Sequence, residues 1–530
     1  MKKAFIKRDS YFDSVSLMLM SRELKMAPGV TDAIVAMGTD MNVDLLKNMG
    51  FAISELEGIT PNDLLVAIDA SDEETLHGAI DAANAALVQK KGTSNSNGTK
   101  SEPTSLKLAV DQLADANMAV ISLPGAYAVR EAHKALELGL HVMLFSDNVS
   151  IDDEIALKAV GRQKGLLVMG PDCGTAIING KPICFANMVR RGPVGVVGAS
   201  GTGIQEVTCL VDRAQSGISQ AIGTGGRDLK NEKVGGATML MAIEALAADE
   251  ETKVIVVISK PPAKSMADRV VSSLEKTGKP AVVFFIGLEP ETHRKESNVL
   301  FATNLEQAAD MAVALANGHL YKPREFTLTT NEITALIDRE TKHLSTSQKF
   351  IRGYYTGGTL ADEAWILLHG LTGAVFSNNQ TDRNFILSDP QKSVGHTVVD
   401  LGDDVFTVGR PHPMIDPSTR TERILAEIND EEIAVVLVDL VLGYGSHEDP
   451  AGALIPALST MKEAARKRGG YLPILASITG TQSDFQNFTD QKAKLESIGC
   501  VVLPSNYQAS MLAIKILEKI NISTERKSVQ

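Results

Sequence analysis

A repeated pattern of short apolar runs, separated by amphipathic segments, limits the folds open to this chain. Successive runs read MAVISL, HVMLFS, GLLVMG, VGVVGA, KVIVVIS and PAVVFFIG, and the pattern returns as HTVVDLG, IAVVLVDLVLGYG and CVVLPS. Runs of this length that are rich in valine and isoleucine are typical of strands buried on both faces, with helices between parallel neighbours. The sequence therefore predicts an α/β protein built on doubly wound parallel sheets.

Two stretches without this pattern divide the chain. The segment QKKGTSNSNGTKSEP is polar and rich in glycine and serine, which is typical of a linker, and a charged segment near 319–349 interrupts the strands again. At 530 residues the chain is too long for one core, so several domains are expected. We predict an N-terminal α/β unit (1–90), a linker (91–104), a Rossmann-like domain (105–190), a first doubly wound domain (191–318), a connector (319–349), a second doubly wound domain (350–520) and a tail (521–530).

Composition excludes several classes of partner. The net charge of -13 argues against nucleic acid or an anionic membrane surface. No apolar run reaches the roughly 20 residues that span a bilayer, and no signal peptide is recognised, so we expect a cytoplasmic protein. The 4 cysteines lack CxxC spacing, which predicts neither a zinc site nor a disulfide framework, and no metal is expected.

Small residues cluster where the predicted strand of VGVVGASGTGIQEV gives way to a helix. Such a turn aims backbone N–H groups and the positive end of a helix dipole at one point, which attracts an anion. The segment lacks the Gly-Lys of a P-loop and the spacing of a dinucleotide fingerprint, so it favours a small phosphate-like group. Glycine turns also serve as plain connections, and that alternative remains open for each turn taken singly.

Ligands of doubly wound sheets bind beyond the carboxyl ends of the strands. That rule gathers GASGTG with GTGGRDL, SKPPA and YTGGT at one edge. The predicted phosphate-binding or substrate-binding residues are Ser200, Gly201, Thr202, Gly203, Gly225, Gly226, Lys260, Gly357 and Gly358. For Lys260 the alternative is a solvated loop lysine.

Three side chains are candidates for catalysis. A guanidinium at Arg227 can grip a carboxylate or phosphate bidentately, or it can pair with Asp228 at the surface. Arg410 and His412 lie in the proline-stiffened segment RPHPMID, where His412 is the candidate proton handler, although a lone histidine more often packs or hydrogen-bonds. Cys173 has no identified histidine partner and is predicted to be a structural thiol.

Several of these motifs resemble a known family. Residues 117–290 resemble the alpha subunit of succinyl-CoA synthetase: GPDCGT is similar to its CoA-binding domain, and GVVGASGTGIQEV, GTGGRDL and VIVVISKPPA are similar to its first ligase domain. Residues 350–517 are more distantly similar to the carboxy-terminal ligase domain of the beta subunit. With FDSVSLM and GRPHPMIDPSTR included, the chain is identified as a member of the FdrA family, whose members are often labelled acyl-CoA synthetases.

The resemblance implies what each domain is. It makes 105–190 a CoA-binding-type domain and makes 191–318 and 350–520 flavodoxin-like ligase domains. It also implies further protein subunits and an oligomer. A CoA-like site would use Pro124, Gly125, Pro171 and Cys173.

Departures from the synthetase pattern bear on mechanism. The Gly-His-Ala-Gly motif that carries the phosphorylated histidine is absent, and His293 lies too early, in the charged stretch LEPETHRKES, to replace it. Lys260 stands where the family has a glutamate. The ATP-grasp domain has no counterpart, and the glycine-rich CoA loop is not recognisable in residues 1–90. The chain alone is therefore not expected to run ATP-driven thioester synthesis.

Part of the family resembles the large subunit of oxamate carbamoyltransferase, which acts in allantoin and purine breakdown. The expected reaction is acyl or carbamoyl transfer through an acyl phosphate, with carbamoyl phosphate as donor and a small carboxylate or amide such as oxamate as acceptor. Arg227 or Arg410 would hold the acceptor, and no cofactor is required beyond the phosphate substrate. The alternatives are an acyl-CoA synthetase subunit that binds CoA and acts with a separate ATP-grasp partner, and a non-catalytic scaffold.

Overall fold

The computed structural model describes residues 1–8, 10, 12, 14–52, 58–92, 103–288, 297–380 and 382–528. The chain forms two compact units, one of Met1–Gln112 with Thr407–Pro411 and one of Leu113–Phe406 with His412–Gln530. Across the described ranges, no helix combines the length and the apolar character needed to cross a membrane.

The N-terminal unit contains a three-stranded antiparallel sheet of order β1-β3-β2, covered by helices. Strand β3 lies in the middle and is almost wholly buried, because its sequence LLVAIDA offers apolar side chains to both faces. The elements are β1 (Lys2–Lys7), α1 (Ser14–Lys25), β2 (Val30–Met37), α2 (Asp40–Asn48), β3 (Leu64–Ala70), α3 (Glu73–Gly92) and α4 (Leu106–Gln112).

The larger unit begins with a small parallel sheet of order β4-β5-β6. Its second helix has clear end signals: Ser150 caps the first turn through the Asp153 amide, and Gly165 ends the helix in a left-handed conformation. The elements are β4 (Met118–Ile121), α5 (Gly125–Glu137), β5 (His141–Leu144), α6 (Ile151–Lys164) and β6 (Val168–Met169).

A seven-stranded sheet follows, of order β13-β12-β11-β9-β10-β7-β8. The five strands from β9 to β13 are parallel and have the flavodoxin-like order 2-1-3-4-5. The hairpin β7-β8 precedes the predicted domain start at 191 but joins this sheet, because β7 pairs antiparallel with β10. The elements are β7 (Thr175–Ile178), β8 (Lys181–Cys184), β9 (Arg191–Ala199), α7 (Gly201–Arg213), β10 (Ile218–Gly223), α8 (Ala237–Ala248), β11 (Val254–Ser259), α9 (Lys264–Thr277), β12 (Ala281–Phe285), β13 (Val299–Phe301) and α10 (Leu305–Ala316).

A six-stranded parallel sheet completes the larger unit, in the order β15-β16-β14-β17-β18-β19. Apart from the edge strand β15, it repeats the 2-1-3-4-5 order, so the predicted fold class of doubly wound α/β domains is confirmed. The elements are α11 (Thr330–Thr341), β14 (Phe350–Tyr355), α12 (Gly358–Thr372), β15 (Val375–Phe376), β16 (His396–Asp400), α13 (Asp404–Thr407), α14 (Ser418–Leu425), β17 (Ile433–Val441), α15 (Pro450–Lys467), β18 (Ile474–Thr479), α16 (Phe488–Ser497), β19 (Val501–Leu503) and α17 (Asn506–Ser528).

Helices of the two doubly wound domains share one hydrophobic core. Ile204 of α7, Ala309 of α10, Ala361 of α12 and Leu512 of α17 are all buried in it. Because α7 and α12 each follow the first strand of a flavodoxin-like sheet, this packing brings two equivalent strand-to-helix turns together. The ligand-binding edges of both sheets therefore meet inside the larger unit.

Candidate functional site

Two strand-to-helix turns face each other, one between β9 and α7 and one between β14 and α12. The hydroxyl oxygens of Ser200 and Thr359 are 2.7 Å apart and buried. A Cβ atom added to Gly357 would lie 3.0 Å from Cγ2 of Thr202. Ser200 and Gly357 are equivalent in the two domains, as are Thr202 and Thr359, so an approximate two-fold axis relates these two contacts.

We call the residues around this axis the paired-turn site, and the structure brings several predicted residues into it. Its members are Ser200, Gly201, Thr202, Gly203, Lys260, Thr356, Gly357, Gly358, Thr359 and Asp400.

The second turn already holds a carboxylate of the chain itself. Asp439 of β17 is fully buried and accepts hydrogen bonds from the backbone N–H groups of Thr356, at 2.9 Å, and Gly357, at 2.8 Å. Its Oδ2 also accepts a hydrogen bond from the Thr356 hydroxyl at 3.1 Å, and the buried guanidinium of Arg420 lies 3.3 Å from its Oδ1. This arrangement is that of an anion site, with an aspartate in the place of an external anion.

The first turn has no such internal partner. Ile258 of β11 stands at the position that corresponds to Asp439, and its side chain accepts no hydrogen bond. Among the described residues, no acceptor is found for the N–H groups of Gly201, Thr202 and Gly203. The Ser200 hydroxyl does not cap the helix, since it bonds across the axis instead. These three amides and the N-terminus of α7 are therefore free to bind an anion.

Lys260 supplies a cation beside the two turns. It follows β11, and its Nζ lies 2.8 Å from Oδ2 of Asp362 on α12. Burial alone would lower the pKa of Lys260, but Asp362, Asp400 and Asp403 raise it above its ordinary value. The side chain is 37% exposed and paired, so it is held in the site and differs from the solvated loop lysine of the alternative.

Asp400, at the end of β16, is a member of the site that sequence reasoning missed. Its residue is 6% exposed, and its Oδ2 lies 2.6 Å from the place a Cβ atom would take on Gly358. Its Oδ1 accepts the Gly402 N–H at 3.0 Å. Burial raises the pKa of Asp400 to about 7, while Lys260 lowers it and Asp362 raises it. The acidic turn DLGDD was visible in the sequence, but the burial of its first residue was not.

Arg227 is bound to the small parallel domain. Its guanidinium lies 2.9 Å from Oε2 of Glu154 and donates to the carbonyl oxygen of Val149 at 2.9 Å. The alternative pairing with Asp228 is wrong, because Asp228 is buried and binds Lys158 at 2.7 Å. Its proposed contact with substrate stays a prediction, and part of its donor capacity is already used.

The two glycines predicted after β10 differ in their surroundings. Gly225 has a φ of 84°, and an added Cβ atom would lie 2.3 Å from the Pro171 carbonyl oxygen. Only glycine fits such a close approach at positive φ. An added Cβ atom on Gly226 meets nothing within 4 Å, so Gly226 has open space beside it.

His412 is held by its own loop. Its Nδ1 accepts the Met414 N–H at 3.1 Å, and its Nε2 lies 2.5 Å from the Cβ position of Gly402. Burial lowers the pKa of His412 to about 4, so the ring is neutral at neutral pH and is a weak base there. Arg410 belongs to the N-terminal unit, and its predicted role in binding substrate stays a prediction.

The residues predicted for a CoA-like site lie at the carboxyl end of the small parallel sheet. They are Pro124, Gly125, Pro171 and Cys173. Ser146 joins the two loops, because its hydroxyl accepts the Leu123 N–H and its carbonyl oxygen accepts the Asp172 N–H. Cys173 is 3% exposed and faces the core, where burial raises the pKa of its thiol to about 12, so the thiol is protonated at neutral pH; its place in a CoA-like site stays a prediction.

A metal-binding role finds no support in the donor set. No group of three or more His, Cys, Asp or Glu side chains in the described part of the chain is arranged to hold a metal ion. The predicted absence of a phosphohistidine at His293 concerns residues 289–296, which lie outside the described residues.

Three family models match the chain. The model described as AllF, heavy metal-associated domain, matches residues 1–104, the CoA binding domain matches 189–287, and CoA-ligase matches 354–516. The match to the CoA binding domain model falls on residues that the sequence predicts to be the first ligase domain, 191–318. Residues 1–104 contain no cysteine, so they lack the thiolates that bind soft heavy metals.

The chain is also similar to curated proteins, which include a CoA ligase subunit, and to solved structures. The chain is 43% identical over 520 residues to YahF of Escherichia coli (strain K12), covering 98% of this chain and 99% of that protein. It is 26% identical over 188 residues to subunit alpha 2 of the ADP-forming succinate–CoA ligase of Archaeoglobus fulgidus, covering 35% of this chain and 63% of the subunit. The dinucleotide forming acetyl-coenzyme A synthetase 1 of Ca. Korarchaeum cryptofilum matches 78% of this chain and 85% of that chain at 15% identity and a TM-score of 0.31.

Proposed function

Since the chain belongs to the family of Escherichia coli YahF and carries domains of the CoA-ligase type, we propose that it is an enzyme subunit that transfers an acyl group between a phosphate and an acceptor. The proposed donor is carbamoyl phosphate, and the proposed acceptor is a small carboxylate or amide such as oxamate. This is the reaction to which the resemblance to oxamate carbamoyltransferase points. With it we propose a cytoplasmic protein of purine breakdown that acts with further subunits in an oligomer.

The observation that carries the proposal is the row of N–H groups at the start of α7. The amides of Gly201, Thr202 and Gly203 have no internal acceptor among the described residues, whereas Asp439 already occupies the two amides that precede α12, those of Thr356 and Gly357. An acyl phosphate carries one dianionic group, and the N-terminus of α7 with the cation Lys260 nearby suits it. Transfer of an acyl group needs little beyond such positioning and stabilisation of charge, and each preorganised donor is worth about 100-fold or more in rate.

A second candidate is an acyl-CoA synthetase subunit that acts with a separate ATP-grasp partner. The matches to the CoA binding domain and CoA-ligase models favour it, as does the similarity to alpha subunits of succinate–CoA ligases. A CoA-like site at Pro124 and Gly125 has little free space, since an added Cβ atom on Gly125 would lie 2.3 Å from the Asn148 carbonyl oxygen. Saturable binding of CoA in calorimetry, together with ATP-dependent thioester formation once the partner is added, would favour this candidate.

The test of the transfer proposal is Gly201→Val. Among the described residues outside the backbone of α7 and the adjacent positions, an added Cβ atom meets just the Thr175 hydroxyl within 4 Å, at 3.3 Å, so the variant is expected to fold. The larger side chain would stand where the phosphate binds. We expect carbamoyl phosphate turnover, measured as phosphate release in the presence of oxamate and co-purified subunits, to fall by about 100-fold or more.

Gly370→Ala on the same unit is the matched control, because an added Cβ atom there meets nothing within 4 Å. Its turnover is expected to equal that of the wild type. Wild-type turnover that survives Gly201→Val would contradict the placement of the phosphate. Binding of partner subunits without any turnover by the wild type would favour the scaffold alternative.

A further inference from the structure

We propose that Asp400 carries the proton in the transfer step, with its free carboxyl oxygen facing the anion bound at the paired-turn site. The inference rests on the proposed function for the identity of the reactants. The place of Asp400 beside a bound dianion can be tested with no substrate at all.

The first observation is that one carboxyl oxygen of Asp400 has no hydrogen-bond donor among the described residues. Its Oδ1 accepts the Gly402 N–H, but among the described residues no donor is found for Oδ2. This residue is more than nine-tenths buried, and Oδ2 lies against Gly358, the first residue of α12. From the same glycine, the Cβ position is 3.6 Å from Nζ of Lys260. Asp400 and Lys260 therefore flank the N-terminus of α12, and the preceding residue, Gly357, lies against Thr202 of α7.

Of the titratable groups at this site, Asp400 is the one suited to exchange a proton. Lys260 faces it from the loop after β11, Asp362 faces it from α12, and Asp403 lies on its own loop. Asp362 is tied to Lys260, and His412 behind Gly402 is neutral with Nδ1 already bonded. Burial raises the pKa of Asp400 to about 7, so both of its protonation states are accessible near neutral pH.

The single carboxyl group of Asp400 can account for both proton transfers in the reaction. The acceptor nitrogen attacks the carbonyl carbon of carbamoyl phosphate, and a C–N bond forms. The C–O bond to the phosphate breaks, and its electron pair leaves with the phosphate. Protonated Asp400 gives its proton to the leaving phosphate oxygen and takes one proton from the acceptor nitrogen. The products are the N-carbamoyl compound and hydrogen phosphate, and Asp400 ends in the state in which it began.

A dianion beside Asp400 favours its protonated form, because an ionised carboxylate would repel it. Above about pH 7, where free Asp400 ionises, binding must therefore take up a proton. Sulfate is the probe, since its charge is constant over this range of pH. For the wild type, the association constant of sulfate is expected to fall by about tenfold for each pH unit above about 7.

The experiment compares sulfate binding by calorimetry in the full-length wild type, Asp400→Asn and Asp403→Asn between about pH 5 and about pH 9. Asp400→Asn removes the titrating group, so its affinity is expected to vary by less than about twofold. Asp403→Asn is the matched control from the same loop: it is expected to keep the tenfold slope, which begins at a lower pH because Asp403 raises the pKa of Asp400. A slope that persists in Asp400→Asn, or no saturable sulfate binding by the wild type, would overturn the inference.

Turnover separates this inference from the proposed function. In a wild type that turns over carbamoyl phosphate, Asp400→Asn is expected to lower kcat by about 100-fold or more and to flatten its pH profile, whereas a loss of folding alone would not change the profile. If the wild type lacks turnover but shows the Asp400-dependent sulfate slope, the reactants are wrong and the placement of Asp400 stands. If it turns over carbamoyl phosphate and Asp400→Asn keeps the wild-type profile, the reaction stands and the inference fails.

Discussion

Lys158→Ala is expected to lower the free energy of unfolding by about 3–5 kcal/mol, because it leaves the buried carboxylate of Asp228 without its cation and leaves Glu154 with Arg227 alone. Nζ of Lys158 lies 2.8 Å from Glu154 and 2.7 Å from Asp228, and it also donates to the Thr224 carbonyl oxygen. The Lys158 side chain is 2% exposed, and the side chains of both acids are fully buried. Urea unfolding monitored by circular dichroism measures the loss.

Lys134→Ala, in the same small domain, is the control for this prediction. Lys134 pairs with Glu131 at 2.8 Å, but its side chain is 48% exposed, and exposed ion pairs contribute about 1 kcal/mol or less. Equal losses for the two variants would contradict the view that burial sets the cost. A second variant, Lys158→Met, keeps the volume of the side chain and is expected to be destabilised as well, which separates the missing charge from a cavity.

The cluster around Lys158 shows why the role of Arg227 could not be predicted from the sequence. GTGGRDL places Arg227 after a strand, at the edge where ligands bind, and that much followed from pattern alone. Glu154 lies on the helix α6 of a different sheet, 73 residues earlier, and nothing in the local sequence links it to the arginine. Contacts between domains depend on how helices pack. The spacing of hydrophobic residues predicts helices and strands, but it does not identify Glu154 as the partner of Arg227.

The paired-turn site, too, could be predicted only in part from the sequence. The glycines and hydroxyls of Ser200 and Thr202 mark the first turn, because a strand that ends in small residues and opens a helix must leave its amides exposed. The sequence treats YTGGT as a similar turn. The structure separates the two through Asp439, a residue inside the apolar run IAVVLVDLV whose carboxylate is aimed at the amides of the second turn. A single buried aspartate therefore distinguishes the two turns at the residues before the helix, whereas the first amides of α7 and of α12 alike have no acceptor among the described residues.

The two-fold relation between the doubly wound domains extends from the turns into their interface. Glu206 of α7 and Glu363 of α12 stand at equivalent positions, five residues after the start of each helix. Glu206 accepts the backbone N–H of Asn506, the first residue of α17, at 3.3 Å. Glu363 accepts the backbone N–H of Leu305, the first residue of α10, at 2.8 Å. Each glutamate therefore caps a helix of the other domain, which fixes how the paired turns face each other.

The burial of Glu363 predicts that the domain interface weakens as pH rises. Glu363 is 2% exposed, and burial raises its pKa from 4.5 to about 7, while hydrogen bonds from Leu305 and Asn506 lower it. Between these two values the folded state keeps a proton that the unfolded state has lost. The contribution of Glu363 to the free energy of unfolding therefore falls by about 3 kcal/mol from about pH 4.5 to about pH 7 and is constant above that.

Glu363→Gln removes this titration. In urea unfolding at about pH 5 and about pH 8, the stability of the variant relative to the wild type is expected to shift in the variant's favour by about 3 kcal/mol at the higher pH. Glu463→Gln on α15 provides an exposed carboxylate for comparison, and its difference from the wild type is expected to stay constant. Parallel pH profiles for wild type and Glu363→Gln would show that Glu363 is already ionised in the folded state. In that case the helix dipoles of α10 and α17 would stabilise the buried charges, and the interface would hold its strength across neutral pH.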